Sequence, residues 1–317
     1  MSGLGRLIRL LRENANLTRE ELADGICSSK YIYLIEKGDR IPATKLMDEL
    51  GTKLGVDLFE YTYYLDCEEP LMVKKIVELM ETLRHEHRFD ELMQLNHQAH
   101  GMNDFMKASL KHEVEYNRLI INLFVNNRYS EVLTGLEAQI TSLGGRMPIS
   151  EKILTPALSK FYNLYIITLF LLERNNEGTI NCTTFYQMLY KVRFIKYYQE
   201  LYISVALNYV NILLDQNEIE LGHQIVDVLK RYQLETKRID RLHLSYFHLA
   251  VIAQRTCDQL LSESHYLRFL YLGLSLNKKI DIVDLINYGV YDFTKLQSMQ
   301  IEMILQNEGI HVEGKGY

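Results

Sequence analysis

Residues 17–38 read LTREELADGICSSKYIYLIEKG, and this stretch decides what the first part of the chain becomes. Thr18 followed three residues later by Glu21 has the spacing of a capping box. Leu17 and Leu22 are placed as its hydrophobic staple, so a helix is expected from Arg19 to about Gly25. Ser28 or Ser29 then caps the next helix, in which Ile32 and Ile35 face inward, and Gly38 ends it. Upstream, Leu4, Leu7, Ile8 and Leu11 fall at i, i+3, i+4 and i+7, the apolar face of a preceding helix. Two short helices joined by a tight turn behind an amphipathic first one make a helix-turn-helix. Downstream, Leu46, Met47, Leu50 and Leu54 give a fourth helix closed by Gly55, and Asp57 with Glu60 is expected to cap a fifth.

The rest of the composition sets the frame for this module. The chain has 317 residues, 47% hydrophobic and 24% charged, enough for about two domains with a sizeable core. Only 4 prolines and 17 glycines occur, too little punctuation for a β-sandwich or barrel. The longest apolar stretch, Leu164 to Leu172, is far shorter than the roughly 20 residues of a bilayer span. No membrane partner is therefore expected, and the arginine-interrupted N-terminus has no secretory apolar core. Cys27, Cys67, Cys182 and Cys257 lie far apart with no CxxC pair, which points to reduced thiols in a cytoplasm. Net charge is −6, so the whole chain is no polycation. Residues 1–45 alone hold eight Lys/Arg against six Asp/Glu. Binding to nucleic acid must come from that local surface.

Pro70, after Asp66-Cys67-Glu68-Glu69, disfavours helix just before it and marks a boundary between residues 1–66 and 71–305. From Leu71 to about Leu305 the pattern is helix after helix, with turns expected at Asn126-Asn127, Asn175-Asn176 and Gln216-Asn217. Similar segments follow the turns: Arg88-Phe89-Asp90-Glu91-Leu92, Arg128-Tyr129-Ser130-Glu131-Val132 and Glu218-Ile219-Glu220-Leu221-Gly222. The first two are 40 residues apart, and one divergent repeat fits before the third. A helical hairpin repeating at this period is the mark of a tetratricopeptide-like superhelix, because each hairpin buries its apolar stripe only by stacking on the next. The fold class expected is all-α, with residues 306–317 as a tail.

The stretches Gly25-Ile26-Cys27-Ser28, Tyr31-Ile32 and Ile35-Glu36-Lys37-Gly38 carry a family resemblance. They are similar to the xenobiotic-response-element type of helix-turn-helix in phage repressors. More closely, they resemble the Rgg, PlcR and PrgX peptide-sensing transcription regulators, whose turn between the second and third helices is one residue shorter. Tyr198-Gln199-Glu200-Leu201-Tyr202-Ile203 is also PlcR-like. A helix of this kind fits the major groove of duplex DNA, where donors and acceptors distinguish all four base pairs. Near its N-terminal end Ser28, Ser29, Lys30, Tyr33 and Leu34 are the candidate DNA-facing residues: Lys30 suits a guanine edge, Leu34 a thymine methyl. Arg19, Lys37 and Arg40 are placed to hold phosphates, which sets register without reading sequence. The resemblance further implies a structural ion pair between Arg12 and Glu36. It departs from the family at Arg19, where glutamine is common, and at Tyr33, where serine is common.

The resemblance implies a homodimer on operator DNA, with a short re-imported signalling peptide in a groove of the repeat domain. Asparagine amides offer a peptide backbone both donor and acceptor, and Asn208 and Asn211 share one helical face. Asn163 and His248 occupy comparable places in neighbouring hairpins. In PlcR-like proteins lysines precede an Arg-aromatic pair near the peptide carboxylate. Here His85 and His87 stand before Arg88-Phe89, which would make affinity depend on pH near 6–7. No metal or other cofactor is expected: His85, His87, His97 and His100 come with no HExxH motif and no cysteine cluster. Nor is there a phosphate loop or nucleophile elbow, so an enzyme is not expected. Two alternatives stay open beside a peptide-responsive regulator of quorum-sensing type: a protein-binding repeat scaffold, and a phage-type repressor that answers no peptide.

Overall fold

A computed structural model of the chain describes residues 3–150, 154–287 and 299–310. Among these residues every regular element is helical, and they fall into two compact units, 1–132 and 133–317. The last seven residues of the expected tail lie outside the described residues. Of the others, Gln306 and Asn307 complete a helix and Ile310 is buried.

The first unit opens with α1 (Gly3–Asn14), α2 (Arg19–Ala23), α3 (Ser29–Lys37) and α4 (Thr44–Leu54). Leu7, Ile8, Leu22, Ile32, Ile35 and Leu50 are buried together in one small core. At the start of α2 the Thr18 hydroxyl accepts the Glu21 N–H at 3.1 Å, and the Glu21 carboxylate accepts the Thr18 N–H at 2.7 Å. Ser28 rather than Ser29 caps α3, its hydroxyl accepting the Tyr31 N–H. Gly38 closes α3 at φ +90°, a left-handed conformation that a residue with a Cβ adopts at a cost. Two boundaries differ from those expected. α2 stops at Ala23, because Asp24 leaves helical geometry. The expected fifth helix is a 3₁₀ segment, Leu58–Tyr64, started by Asp57 accepting the Phe59 N–H.

Gly5 brings α1 and α3 into direct backbone contact. A Cβ on Gly5 would lie 2.2 Å from the Ile35 carbonyl oxygen. The same unit continues with α5 (Pro70–His85), α6 (Phe89–His100), α7 (Ala108–Phe124) and the start of α8 (Tyr129–Ser142). The join between the four-helix bundle and α5 is pinned by polar contacts. Asp104 accepts the N–H groups of Glu68 and Glu69, Lys107 donates to the Asp66 carbonyl, and Arg6 donates to the Cys67 carbonyl. Burial pushes the Asp104 carboxyl up, but the Lys107 ammonium and the two amides outweigh it and hold the pKa below the usual value.

The second unit takes over within α8 and continues with α9 (Pro156–Leu171), α10 (Asn175–Val192), α11 (Gln199–Asp215), α12 (Ile219–Glu235), α13 (Leu242–Arg255), α14 (Gln259–Ser275), α15 (Lys279–Asn287) and α16 (Met299–Asn307). From α9 to α15 each helix packs on the next. Tyr162, Tyr165, Phe185, Tyr202, Phe247, Tyr266 and Phe269 are fully buried, so part of the chain's tyrosine supplies interhelical packing.

The helical pairs turn on a repeated device. His87, Asn127, Glu173, Asn217 and Cys257 all have φ between +52° and +63°, at intervals of 40, 46, 44 and 40 residues. After four of them the next N–H reaches back five residues into the helix: Arg88 to Leu83, Arg174 to Leu169, Glu218 to Leu213, Asp258 to Ala253. These are Schellman caps. They correct one turn, which sits at Glu173 rather than at Asn175-Asn176; both asparagines already belong to α10. They also supply the divergent repeat, Arg174-Asn175-Asn176-Glu177-Gly178. Four residues past each turn residue's successor stand Leu92, Val132, Gly178, Gly222 and Ser262, all buried. At Gly178 a Cβ would come within 2.8 Å of the Phe170 ring.

Candidate functional site

The outward face of α3 carries the candidate DNA-facing side chains. Lys30 and Tyr33 are exposed, Ser29 and Leu34 are half-buried, and Ser28 is exposed with its hydroxyl oxygen engaged as the cap. Lys37 and Arg40 are exposed at the far end of α3. The Lys37 ammonium lies 3.1 Å from the Asp39 carboxylate, which holds its pKa above the usual value. That pair is solvent-exposed, so a phosphate competes with it at little cost.

Behind this face lies a three-residue charge cluster. Glu36 is buried, and its Oε1 accepts the Nε–H of Arg12 at 2.6 Å. Arg12 Nη1 donates to the Leu17 carbonyl at 2.8 Å, tying α1 to the entry of α2. The hydrogen bond to Glu36 raises the Arg12 pKa. Arg19, from the start of α2, donates through Nε to the other oxygen of Glu36 at 2.7 Å. Its guanidinium carbon lies 5.5 Å from the centre of the Tyr33 ring. Arg19 is thus bound into the module as well as lying at its surface, a placement that no local spacing in the sequence announces.

The candidate peptide-binding residues divide between the units. In the first, His87 is the left-handed turn residue and its ring stacks on Phe89 at 5.7 Å. Arg88 is held by Glu86 and Glu91 at 2.7 and 2.6 Å, which raises its pKa. His85 ends α5. In the second unit, Asn163 on α9 and Asn208 on α11 are half-buried, and Asn211 is exposed. Asn211 and His248 are brought together across α11 and α13, the Asn211 amide 2.8 Å from the imidazole Nε2. His248 Nδ1 lies 2.8 Å from the Leu244 carbonyl. Burial lowers the His248 pKa and so favours the neutral ring. Both ring nitrogens thus face oxygen atoms, Oδ1 of Asn211 and the Leu244 carbonyl, and a neutral ring donates to one of the two. Among the described residues no group of three or more His, Cys, Asp or Glu is placed to hold a metal ion. No described helix is long and apolar enough to cross a membrane.

Residues 8–61 match the family model described as helix-turn-helix. This segment is a helix-turn-helix domain. The fold is similar to that of PlcR from Bacillus thuringiensis, solved in complex with the peptide PapR7 and DNA. The TM-score is 0.69 at 13% identity, over 89% of this chain and 99% of that one. Two streptococcal structures have lower scores. The first is ComR from S. thermophilus with DNA and its signalling peptide ComS, with a TM-score of 0.49 and 13% identity over 88% and 95% of the chains. The second is the Streptococcus dysgalactiae SHP pheromone receptor Rgg2, with a TM-score of 0.43 and 14% identity over 87% and 95%. No curated protein matches the chain in sequence. The helix-turn-helix match begins within α1, runs through α4 and ends within the 3₁₀ segment, and the similarity to the PlcR fold extends over the helical pairs that follow.

Proposed function

We propose that the chain is a cytoplasmic, peptide-responsive transcription regulator. Residues 1–66 hold operator DNA as part of a homodimer, and residues 71–305 carry the peptide site and the dimer contacts. The observation that carries this reading is the outward face of α3. Ser29, Lys30 and Tyr33 project from a helix seated on α1 by backbone contact and on α2 by the Arg12–Glu36–Arg19 cluster. A major-groove reader needs a rigid helix with polar side chains on its free side. The order of helix-turn-helix domain and helical pairs, in a fold similar to that of PlcR, supports a peptide as the second ligand.

In this reading Ser28, Ser29, Lys30, Tyr33 and Leu34 face the bases, while Lys37 and Arg40 hold phosphates. Asn163, Asn208, Asn211 and His248 are the candidates for peptide contact in the second unit, and His85, His87 and Arg88 those in the first. The peptide acts by binding one arrangement of the dimer better than another, since equal affinity for both shifts nothing. The join at Asp104, Lys107 and Arg6 ties the helix-turn-helix domain to α5, so it does not hang on a slack linker.

The test is a mobility-shift assay of the full-length protein on the duplex upstream of its own gene. Synthetic peptides from any small exported reading frame beside the gene are present or absent. Saturable binding that these peptides change is the expected result. Saturable binding that no peptide alters favours a peptide-independent repressor, and no binding to any duplex overturns the reading.

A further inference from the structure

Resting on the DNA-binding reading above, we propose that Arg19 is a base-reading residue that selects guanine, with Glu36 and Tyr33 as its positioning residues. Its sequence position, at the first residue of α2, suggests only a phosphate contact. Three features of its surroundings point further. First, the guanidinium lies over the Tyr33 ring, so it sits beside the outward face of α3 that carries Ser29, Lys30 and Tyr33. Second, Nε is taken by Glu36 at 2.7 Å, and among the described residues neither Nη donates to a protein acceptor. The free edge of the group is therefore the two-nitrogen fork that matches O6 and N7 of guanine. Third, the side chain is fixed before any ligand arrives. The carboxylate holds Nε and the Tyr33 ring lies beside the guanidinium, which removes part of the rotamer freedom that an exposed arginine would otherwise lose on binding.

The charges are consistent with this. Glu36 is shared between two guanidiniums, and Arg12 is satisfied by Glu36, by the Leu17 carbonyl and by a 3.4 Å contact to Glu13. Glu13 itself accepts from Arg9. One positive charge is left over, and Arg19 is the partner with exposed side-chain surface, 38% against 9% for Arg12. A lysine at position 19 would keep the charge but offer no fork.

The experiment is selection of bound duplexes from a pool with a randomised central segment. It uses the full-length protein and its Arg19→Lys, Arg19→Gln and Tyr33→Leu variants, each checked for folding by circular dichroism. The expected result is a wild-type motif with a guanine preference at one position per half-site. That preference falls about ten-fold or more in both Arg19 variants, whose other positions keep their bases, and by a smaller factor in Tyr33→Leu. Replacing that guanine by 7-deazaguanine weakens the wild type more than either Arg19 variant. A wild-type motif that survives unchanged in both Arg19 variants overturns the inference and leaves the DNA-binding reading standing. A wild-type protein that enriches no motif removes both.

Discussion

Glu36 holds arginines from two different helices, and the two are not equivalent. Arg12 and Glu36 are both buried. Replacing Glu36 by alanine strands the Arg12 charge inside the module, which should cost about 3–5 kcal/mol. Arg19→Ala leaves the Arg12–Glu36 pair intact and removes a half-exposed contact, which should cost about 1 kcal/mol or less. Urea unfolding of the two variants checks the contrast. If they prove equally destabilised, Arg19 is as much a part of the scaffold as Arg12. The Arg12–Glu36 pair is implied by family resemblance, but Arg19's share in it is not. Capping boxes and helix-end glycines announce themselves within four residues, whereas a contact spanning 17 residues depends on how α2 crosses α3. At a second residue the effect is on acid stability. Burial first, then Arg268 and Lys230, lower the His265 pKa to about 4. A folded pKa below the unfolded value near 6.5 means stability that is present above that pH. It is lost as pH falls towards 4. The ring is half-buried beside Tyr246, so the amplitude is modest. His265→Gln should flatten the decline in unfolding midpoint between pH 6.5 and 4, and an unchanged slope would dismiss the assignment.

At the scale of elements, the left-handed turns explain both what the sequence pattern conveyed and what it concealed. Asn127 and Asn217 tolerate positive φ better than most side chains, so Asn126-Asn127 and Gln216-Asn217 marked those two turns. Glu173 is an unfavourable residue for this conformation, and the neighbouring Asn175-Asn176 drew the expected turn two residues too far along. Without Asn or Gly at the cap, the intervening repeat was hidden, although Arg174 and Glu177 pair three apart as Arg88 and Glu91 do. Glu173 is exposed and spends conformational energy at φ +58°. Glu173→Gly should therefore stabilise the protein by about 0.5–1 kcal/mol, the relief of left-handed strain less the added freedom of the unfolded chain. A higher urea midpoint with an unchanged m-value is the expected signature. A lower midpoint would mean that the glutamate makes a contact worth more than the strain. The 3₁₀ segment at Leu58–Tyr64 escaped for another reason: a cap at Asp57 and an acidic Glu60 are common to both helix types, and only the hydrogen-bond spacing separates them.

For the whole molecule, the balance of charge governs how DNA is held. A chain of net charge −6 has no general attraction for a polyanion, so attraction must come from the few cations around α3. With Lys37 and Arg40 as the phosphate contacts in each of two protomers, the slope of log affinity against log salt should be about −4. Arg40→Ala should bring it to about −2 with the preferred sequence unchanged. Titrations at three or more salt concentrations measure this, and a slope untouched by the substitution would exclude Arg40 from the interface. The fold class and the order of the two parts were legible because they follow from helical period and local caps. The partners of individual side chains were not, because they depend on which faces meet.

The backbone contact at Gly5 has a consequence for how such a molecule diversifies. Since α3 meets α1 backbone to backbone at Gly5, and Ser29, Lys30 and Tyr33 take no part in the core that holds the two helices, its attitude does not depend on what occupies positions 29, 30 and 33. Those three positions are then free to be exchanged without resettling the bundle. A descendant of this chain can acquire a different target through a handful of surface changes, whereas any residue larger than glycine at position 5 would tilt the reading rod and disable every target at once.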